Sequence, residues 1–308
     1  MPVLAPTLRE IHLRAADGDV TATFLPSLNM VGSSLRHHGE ELLLQASDPC
    51  RYATDGAVFG IPLLHPWANR LGALGYEAAG RRVTLDPASP RIEIEEHGLP
   101  THGLLNAYEG WTVLDVADDR LQAELDFSAD PSLLAAFPFP HRLRLDARVD
   151  GGGLAISTTI LPGPGVAVPV AFGFHPYLCL PGGVPRCDWE LELAARQFAL
   201  MDTRLVPTGG WAPVDPPIRG RLRHRRFDDL YTAFASDRAF GVSAAGRTVA
   251  IRLLSGYRYA QLWADPTQDA ISFEPMTAPG DALRTGRGLL VTRRPFRAAF
   301  RIEVSGGG

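Results

Sequence analysis

The chain contains no lysine, and all 30 of its basic residues are arginine. Schiff-base enzymes, whether pyridoxal-dependent or aldolase-like, need a lysine amine, and the phosphate loop of nucleotide hydrolases ends in Gly-Lys. Both classes are excluded. Cysteine is almost as scarce. Cys50, Cys179 and Cys187 fit neither a zinc-ligand spacing nor a disulfide framework, so they read as buried or incidental thiols. No apolar run is long enough to span a bilayer, and the opening Met-Pro-Val-Leu-Ala-Pro-Thr-Leu-Arg-Glu has no basic segment leading into an apolar one. The expectation is a cytoplasmic protein with no membrane partner. Positive charge is in deficit as well: a net charge of −4 argues against nucleic acid, whose binding rests on Lys and Arg neutralising phosphates. Helical periodicity is nearly missing. Residues 131–137 are the exception, where Asp130-Pro131-Ser132 resembles a capped helix start.

What the chain does have is alternation. In 308 residues with 45% apolar content, apolar side chains recur at every second position of residues 91–96, 121–127 and 141–149. Asp150-Gly151-Gly152-Gly153 then leads into a Thr- and Ile-rich run over 154–160, which predicts a hairpin closed by a glycine turn. Further strands are expected over 189–193, 248–254, 259–263, 270–274 and 296–304. With 31 glycines and 26 prolines punctuating short strands, the predicted fold is all-β, a large antiparallel β-sandwich with very little helix. Residues 1–304 are expected to form a single domain and 305–308 a frayed tail, with residues 207–217 a Pro/Gly-rich connection.

Four polar constellations stand out. In Leu63-Leu64-His65-Pro66-Trp67-Ala68-Asn69-Arg70-Leu71, an Asn-Arg pair follows an apolar run; arginine's fork of donors and the two-sided amide suit vicinal sugar hydroxyls, and a surface turn is the alternative. In His97-Gly98-Leu99-Pro100-Thr101-His102-Gly103, two imidazoles sit five apart with no further ligand to complete a metal site, so no metal is expected. Phe172-Gly173-Phe174-His175-Pro176-Tyr177 sets a histidine among aromatic rings. Ile271-Ser272-Phe273-Glu274-Pro275 puts a glutamate at the end of an apolar strand, where a carboxylate is retained only with a partner. A histidine and a carboxylate held in this way are the parts needed to move a proton on and off a neutral substrate. Upstream, Phe227-Asp228-Asp229-Leu230-Tyr231 adds an acidic pair.

In this order the residues resemble the aldose 1-epimerase family, the galactose mutarotases, from Gly32-Ser33-Ser34-Leu35-Arg36-His37-His38-Gly39 through Glu274-Pro275-Met276-Thr277-Ala278-Pro279. The resemblance implies the supersandwich fold of that family, a monosaccharide substrate in an open cleft, and no cofactor. It implies that Glu274 is the catalytic base at the C1 hydroxyl, His175 the acid at the ring oxygen and His102 an aid in polarising that oxygen. Asn69, Arg70, Asp228 and Tyr177 would hold hydroxyls, with Asp229 an adjacent competitor of Asp228. Trp263, or else Trp67, would offer an aromatic face to the sugar. Two other readings stay open: a hexose-6-phosphate 1-epimerase, suggested by the arginines at 219, 221, 223, 225 and 226, and a non-catalytic sugar-binding or sensor protein on the same fold. A solvated, charged hairpin is the alternative account of those arginines. Nothing in the sequence points to an oligomeric state.

Overall fold

Alternation in the sequence becomes strand in the computed structural model, which describes residues 8–46 and 59–307. Strand accounts for 53% of residues and helix for 7%, so the all-β expectation holds. The predicted hairpin is continuous: His141–Asp150 and Gly153–Pro162 pair without a slip from His141↔Pro162 to Asp150↔Gly153. Leu143, Leu145, Ala147 and Val149 are buried on one side while Arg142 and Arg148 face solvent. Each leucine so buried contributes roughly 1.5–3 kcal/mol, which fixes the register because a one-residue slip would expose the whole row. The expected helix is Pro131–Ala136, and the Asp130 carboxylate accepts from the Ser132 N–H at its start.

Among the described residues two large antiparallel sheets, of nine and eight strands, dominate the fold. The hairpin lies in the nine-stranded sheet, flanked by Arg120–Asp126 on one side and by Phe296–Gly306, then Arg247–Ser255, on the other. The eight-stranded sheet is centred on Phe227–Phe234, Tyr259–Ala264 and Ile271–Met276. The inner faces meet in one apolar core, where Phe240 stacks on Phe273 with ring centroids 5.2 Å apart and Phe174 meets Phe300. The opposite face of the eight-stranded sheet carries the polar cluster described below.

Several expectations are revised. Residues 91–96 do not form a full strand: only Glu93–Ile94 pairs, with Pro100–Thr101, because a tight turn closed by the Glu95 and Leu99 backbones ends the ladder. Ile94 is exposed, and Glu93 and Glu95 are the side chains of this segment that line the polar cleft. Residues 207–217 are more than a connection. Pro207–Pro213 is the outermost strand of the eight-stranded sheet, paired with Ala195–Met201 across a bulge, where a proline's missing N–H leaves no ladder bond unmade. The last strand runs past Val304, with Ser305 and Gly306 still pairing with Thr248 and Arg247. Cys179 and Cys187 are free thiols of intermediate burial, and burial pushes Cys179 up to about 12; Cys50 lies outside the described residues.

One histidine pair belongs to the core. His141 Nδ1 lies 2.6 Å from the Phe139 carbonyl, so it carries the proton there and its Nε2 accepts from His65 Nε2–H at 2.9 Å. Burial lowers His65 well below the usual imidazole value and His141 to about 4. In the unfolded chain both rings take up a proton near the ordinary value, so stability is full above about 6.5 and is lost as pH falls toward 4. We predict that His141 alone removes on the order of 3 kcal/mol between pH 7 and pH 4, read by urea unfolding at each pH. An unfolding midpoint that does not move over that range contradicts the prediction.

Candidate active site

Register across the eight-stranded sheet assembles the site. Residues directly opposite one another in antiparallel strands share a face, and Asp228 lies opposite Trp263, Trp263 opposite Ser272, and Ser272 opposite Tyr177. One pleat further, Gln261 lies opposite Glu274. Period-two alternation therefore turns Asp228, Trp263, Gln261, Ser272 and Glu274 to one face. Asp229 points the other way and is held by a hydrogen bond with Tyr231, so of the adjacent aspartates it is Asp228 that faces the cleft. Two adjacent acids cannot be told apart by alternation alone until the register is known.

Glu274 and His175 are the centre of this face. Glu274 Oε1 lies 3.0 Å from His175 Nε2, and the two residues are 1% and 6% exposed. The His175 backbone N–H donates to the Pro62 carbonyl. Its ring stacks on Tyr177 at 4.2 Å, and its Nδ1 meets the Ser272 hydroxyl at 2.9 Å. Ser272 can donate to or accept from that nitrogen, so it supports either protonation state. Burial raises the Glu274 carboxyl well above the carboxylate range, with Asp228 adding to the effect and Arg70 opposing it. Burial, reinforced by His102, lowers His175 well below the usual imidazole value. Together the pair holds one proton and no net charge over a wide pH range. Glu274 Oε2 is buried and makes no hydrogen bond, which leaves an acceptor open at the cleft floor.

The His-Gly pair at 102–103 has a local reason. Gly103 sits at φ +82°, and a Cβ there would lie 2.2 Å from the His65 carbonyl oxygen, so no other residue fits. The turn sets His102 at φ 57° and directs its ring edge-on to His175, with centroids 5.6 Å apart. Burial first, and then the Arg70 charge, lowers His102 to about 4, so it is neutral at pH 7. His97 does not converge with it; its ring pairs with Glu95 at 2.9 Å. Against the expectation that no further ligand stands near the two imidazoles, Glu95, Glu96 and His97 bring possible metal-ligand atoms within 4.8 Å of one another, although Glu95 is already held by Arg70 and His97.

Arg70 ties the cleft wall together. Its Nε donates to Glu95 at 3.2 Å, its Nη2 to Asp228 at 3.2 Å and its Nη1 to Asn69 Oδ1 at 3.4 Å. Gln261 donates to the other Asp228 oxygen at 2.6 Å. Replacing Arg70 by methionine keeps the stem but leaves two partly buried carboxylates facing each other. We expect a loss of about 1–3 kcal/mol, since all three groups keep some solvent contact, and a rise in KM of tenfold or more. Thermal unfolding and saturation kinetics read the two effects, and a variant with unchanged KM would show that Arg70 does not order the sugar contacts.

Asn69, Arg70, His102, His175, Tyr177, Asp228, Trp263 and Glu274 all line one cleft of about 190 Å³, together with Glu93, Glu95 and Thr101. All eight sequence-predicted site residues thus come together. Trp67 does not join them; at 1% exposed it belongs to the core. Ser272, Gln261, Glu93 and Glu95 were not singled out from the sequence, although Ser272 lies two residues before Glu274 and Gln261 two before Trp263, which put each on the same strand face. The five arginines of 219–226 do not line the cleft: Arg221 meets Asp188 and Glu190, Arg226 meets Asp265 and Arg225 lies over Phe227. Three wider grooves of about 520 to 550 Å³ lie elsewhere, none with a buried acid–base pair.

A sequence model of the aldose 1-epimerase family matches residues 33–295. Among solved structures, a galactose mutarotase-like protein from Clostridium acetobutylicum is 16% identical, with a TM-score of 0.85 over 99% of this chain and 97% of that one. A protein from Synechocystis sp. PCC 6803 is 20% identical, with a TM-score of 0.79 over 99% of this chain and 100% of the other. The galactose 1-epimerase from Lactobacillus acidophilus NCFM is 14% identical, with a TM-score of 0.75 over 98% and 100% of the two chains. At these identities the structures establish a shared fold. No curated protein sequence matches the chain.

Proposed function

The chain belongs to the aldose 1-epimerase family, a family of carbohydrate epimerases, and on that premise we propose that it is a mutarotase, interconverting the α and β anomers of a hexose without a cofactor. The observation that carries this reading is the buried contact of Glu274 with His175, 3.0 Å apart, on the floor of a cleft walled by groups that bind hydroxyls. In the tautomer with the pair's single proton on His175 and Glu274 ionised, Glu274 takes the proton of the C1 hydroxyl while His175 delivers its proton to the ring oxygen O5. The C1–O5 bond breaks and C1 becomes the aldehyde carbon. Rotation about C1–C2 presents the other carbonyl face. O5 then returns its proton to His175 as it attacks C1, and the new C1 oxygen takes one from Glu274. The pair starts and ends with one proton, so a complete cycle needs no external acid, base or redox partner.

The remaining residues serve binding. Neutral His102 donates toward O5 and its neighbours, Arg70, Asn69, Asp228 and Tyr177 hold hydroxyls, and Trp263 lies against the C–H face of the ring. Two positioned proton-transfer groups each contribute on the order of 10²- to 10⁴-fold, which suffices for a reaction that already proceeds slowly in water. Polarimetry on freshly dissolved α-glucose or α-galactose tests the proposal: optical rotation should relax faster in proportion to protein added. A relaxation rate equal to that of buffer for every common aldose would leave a sugar-binding role in its place.

A further inference from the structure

We infer that Glu93 is a specificity-determining residue that biases this cleft against phosphorylated and other acidic sugars, an inference that rests on reading the cleft as the sugar site. Glu93 lies opposite Thr101 in a two-residue ladder, and Thr101 is bridged in turn to Arg70. The three residues form a row along one lip, and all three line the cleft. Among the described residues no cation pairs with Glu93, whereas Glu95 and Asp228 are both tied to Arg70. Glu93, Glu95 and Asp228 share one arginine, Arg70, with His97 a further partner of Glu95, while His102 is neutral and Glu274 shares its proton with His175. The cleft therefore carries excess negative charge, and Glu93 is the carboxylate in it that has no ion-pair partner among the described residues.

A phosphate ester finds no counterpart here. The Nε, Nη1 and Nη2 of Arg70 each donate once, to Glu95, Asn69 and Asp228, and two carboxylates already face its single charge, so it offers a phosphate little net positive charge. The arginines at 219, 221, 223, 225 and 226 do not line the cleft. A sugar phosphate brings close to two negative charges at pH 7 beside the exposed Glu93, and like charges repel across the mouth of the cleft even with solvent and salt screening them. A neutral sugar meets no such repulsion, because a carboxylate offers two acceptor oxygens to its hydroxyls. Glu93 thus combines hydroxyl recognition with exclusion of anions.

The test compares glucose with glucose 6-phosphate, and galactose with its 6-phosphate, in the wild type and in Glu93→Gln, reading both the dissociation constant by calorimetry and kcat/KM by polarimetry. The wild type should favour the neutral sugar by about tenfold or more. Glu93→Gln should narrow that gap several-fold, with the dissociation constant and kcat/KM for the phosphate both improving over the wild type. Raising salt to about 0.5 M should narrow the wild-type gap in the same direction by screening, a check that needs no substitution. Equal or better handling of the phosphate by the wild type, or a ratio unmoved in Glu93→Gln, overturns the inference. Discriminating binding without accelerated anomer exchange would defeat the mutarotase proposal and leave this inference standing. Exchange accelerated alike for both sugars would do the reverse, and failure to bind any of the four would overturn both.

Discussion

Glu274→Gln should lower kcat for anomer exchange by about 10²- to 10⁴-fold in a protein that stays folded. Gln is nearly isosteric with Glu, so the packing of the Ile271–Met276 strand, buried along its whole length, is kept. What is lost is the capacity to take a proton. The amide also cannot share one with His175, which lies 3.0 Å away, so both halves of the transfer are disabled at once. The protein need not become less stable, because burial disfavours an ionised Glu274 and a neutral amide avoids that penalty. KM should move little, since Arg70, Asp228 and Asn69 still hold the hydroxyls. Unimpaired kcat in this variant would remove Glu274 from the role of base.

His175→Asn should produce a loss of the same size, about 10²- to 10⁴-fold in kcat, with a different signature. In the wild type the working state is the pair with one proton. On the acid side a second proton arrives and the base is lost; on the alkaline side the single proton leaves and the acid is lost. Because burial lowers His175 and raises Glu274, the one-proton state spans neutral pH. The kcat profile should be a plateau falling at both ends, with apparent values that belong to the pair. His175→Asn should abolish that shape, which loss of the stacking on Tyr177 by itself would not do. Combining the two substitutions should be scarcely worse than the poorer single variant, since acid and base act in one step. Additive losses would mean that the two groups work in separate steps.

Strand alternation was the most readable signal. The runs at 121–127, 141–149 and 154–160 became paired strands because each carries apolar residues on one face only, and burial of that face fixes the register. The segment at 91–96 has the same pattern and misled for a physical reason: its acidic residues serve the cleft, and a turn closes after two paired residues. Pro207–Pro213 was hidden because proline marks connections far more often than edge strands. Within the cleft, residues set off by proline or glycine were visible from local sequence, as at Glu274-Pro275, His175-Pro176 and His102-Gly103. Gln261 and Ser272 were not, since each lies in an apolar strand and acquires its place only from a neighbour brought opposite by pairing. Likewise His65, in the same run as Asn69 and Arg70, gave no sign that its ring would turn inward to His141.

The central claim, that Glu274 and His175 open and reclose the ring by moving only hydroxyl protons, is tested most directly by two-dimensional exchange NMR on an aldose in D2O with wild-type protein. The account predicts exchange peaks linking the H1 signals of the two anomers, growing with protein concentration, while H1 and H2 keep full intensity because no C–H bond breaks. Loss of the H2 signal to deuterium would mean proton abstraction from carbon rather than anomer exchange. That result, or exchange no faster than in buffer, would contradict the account.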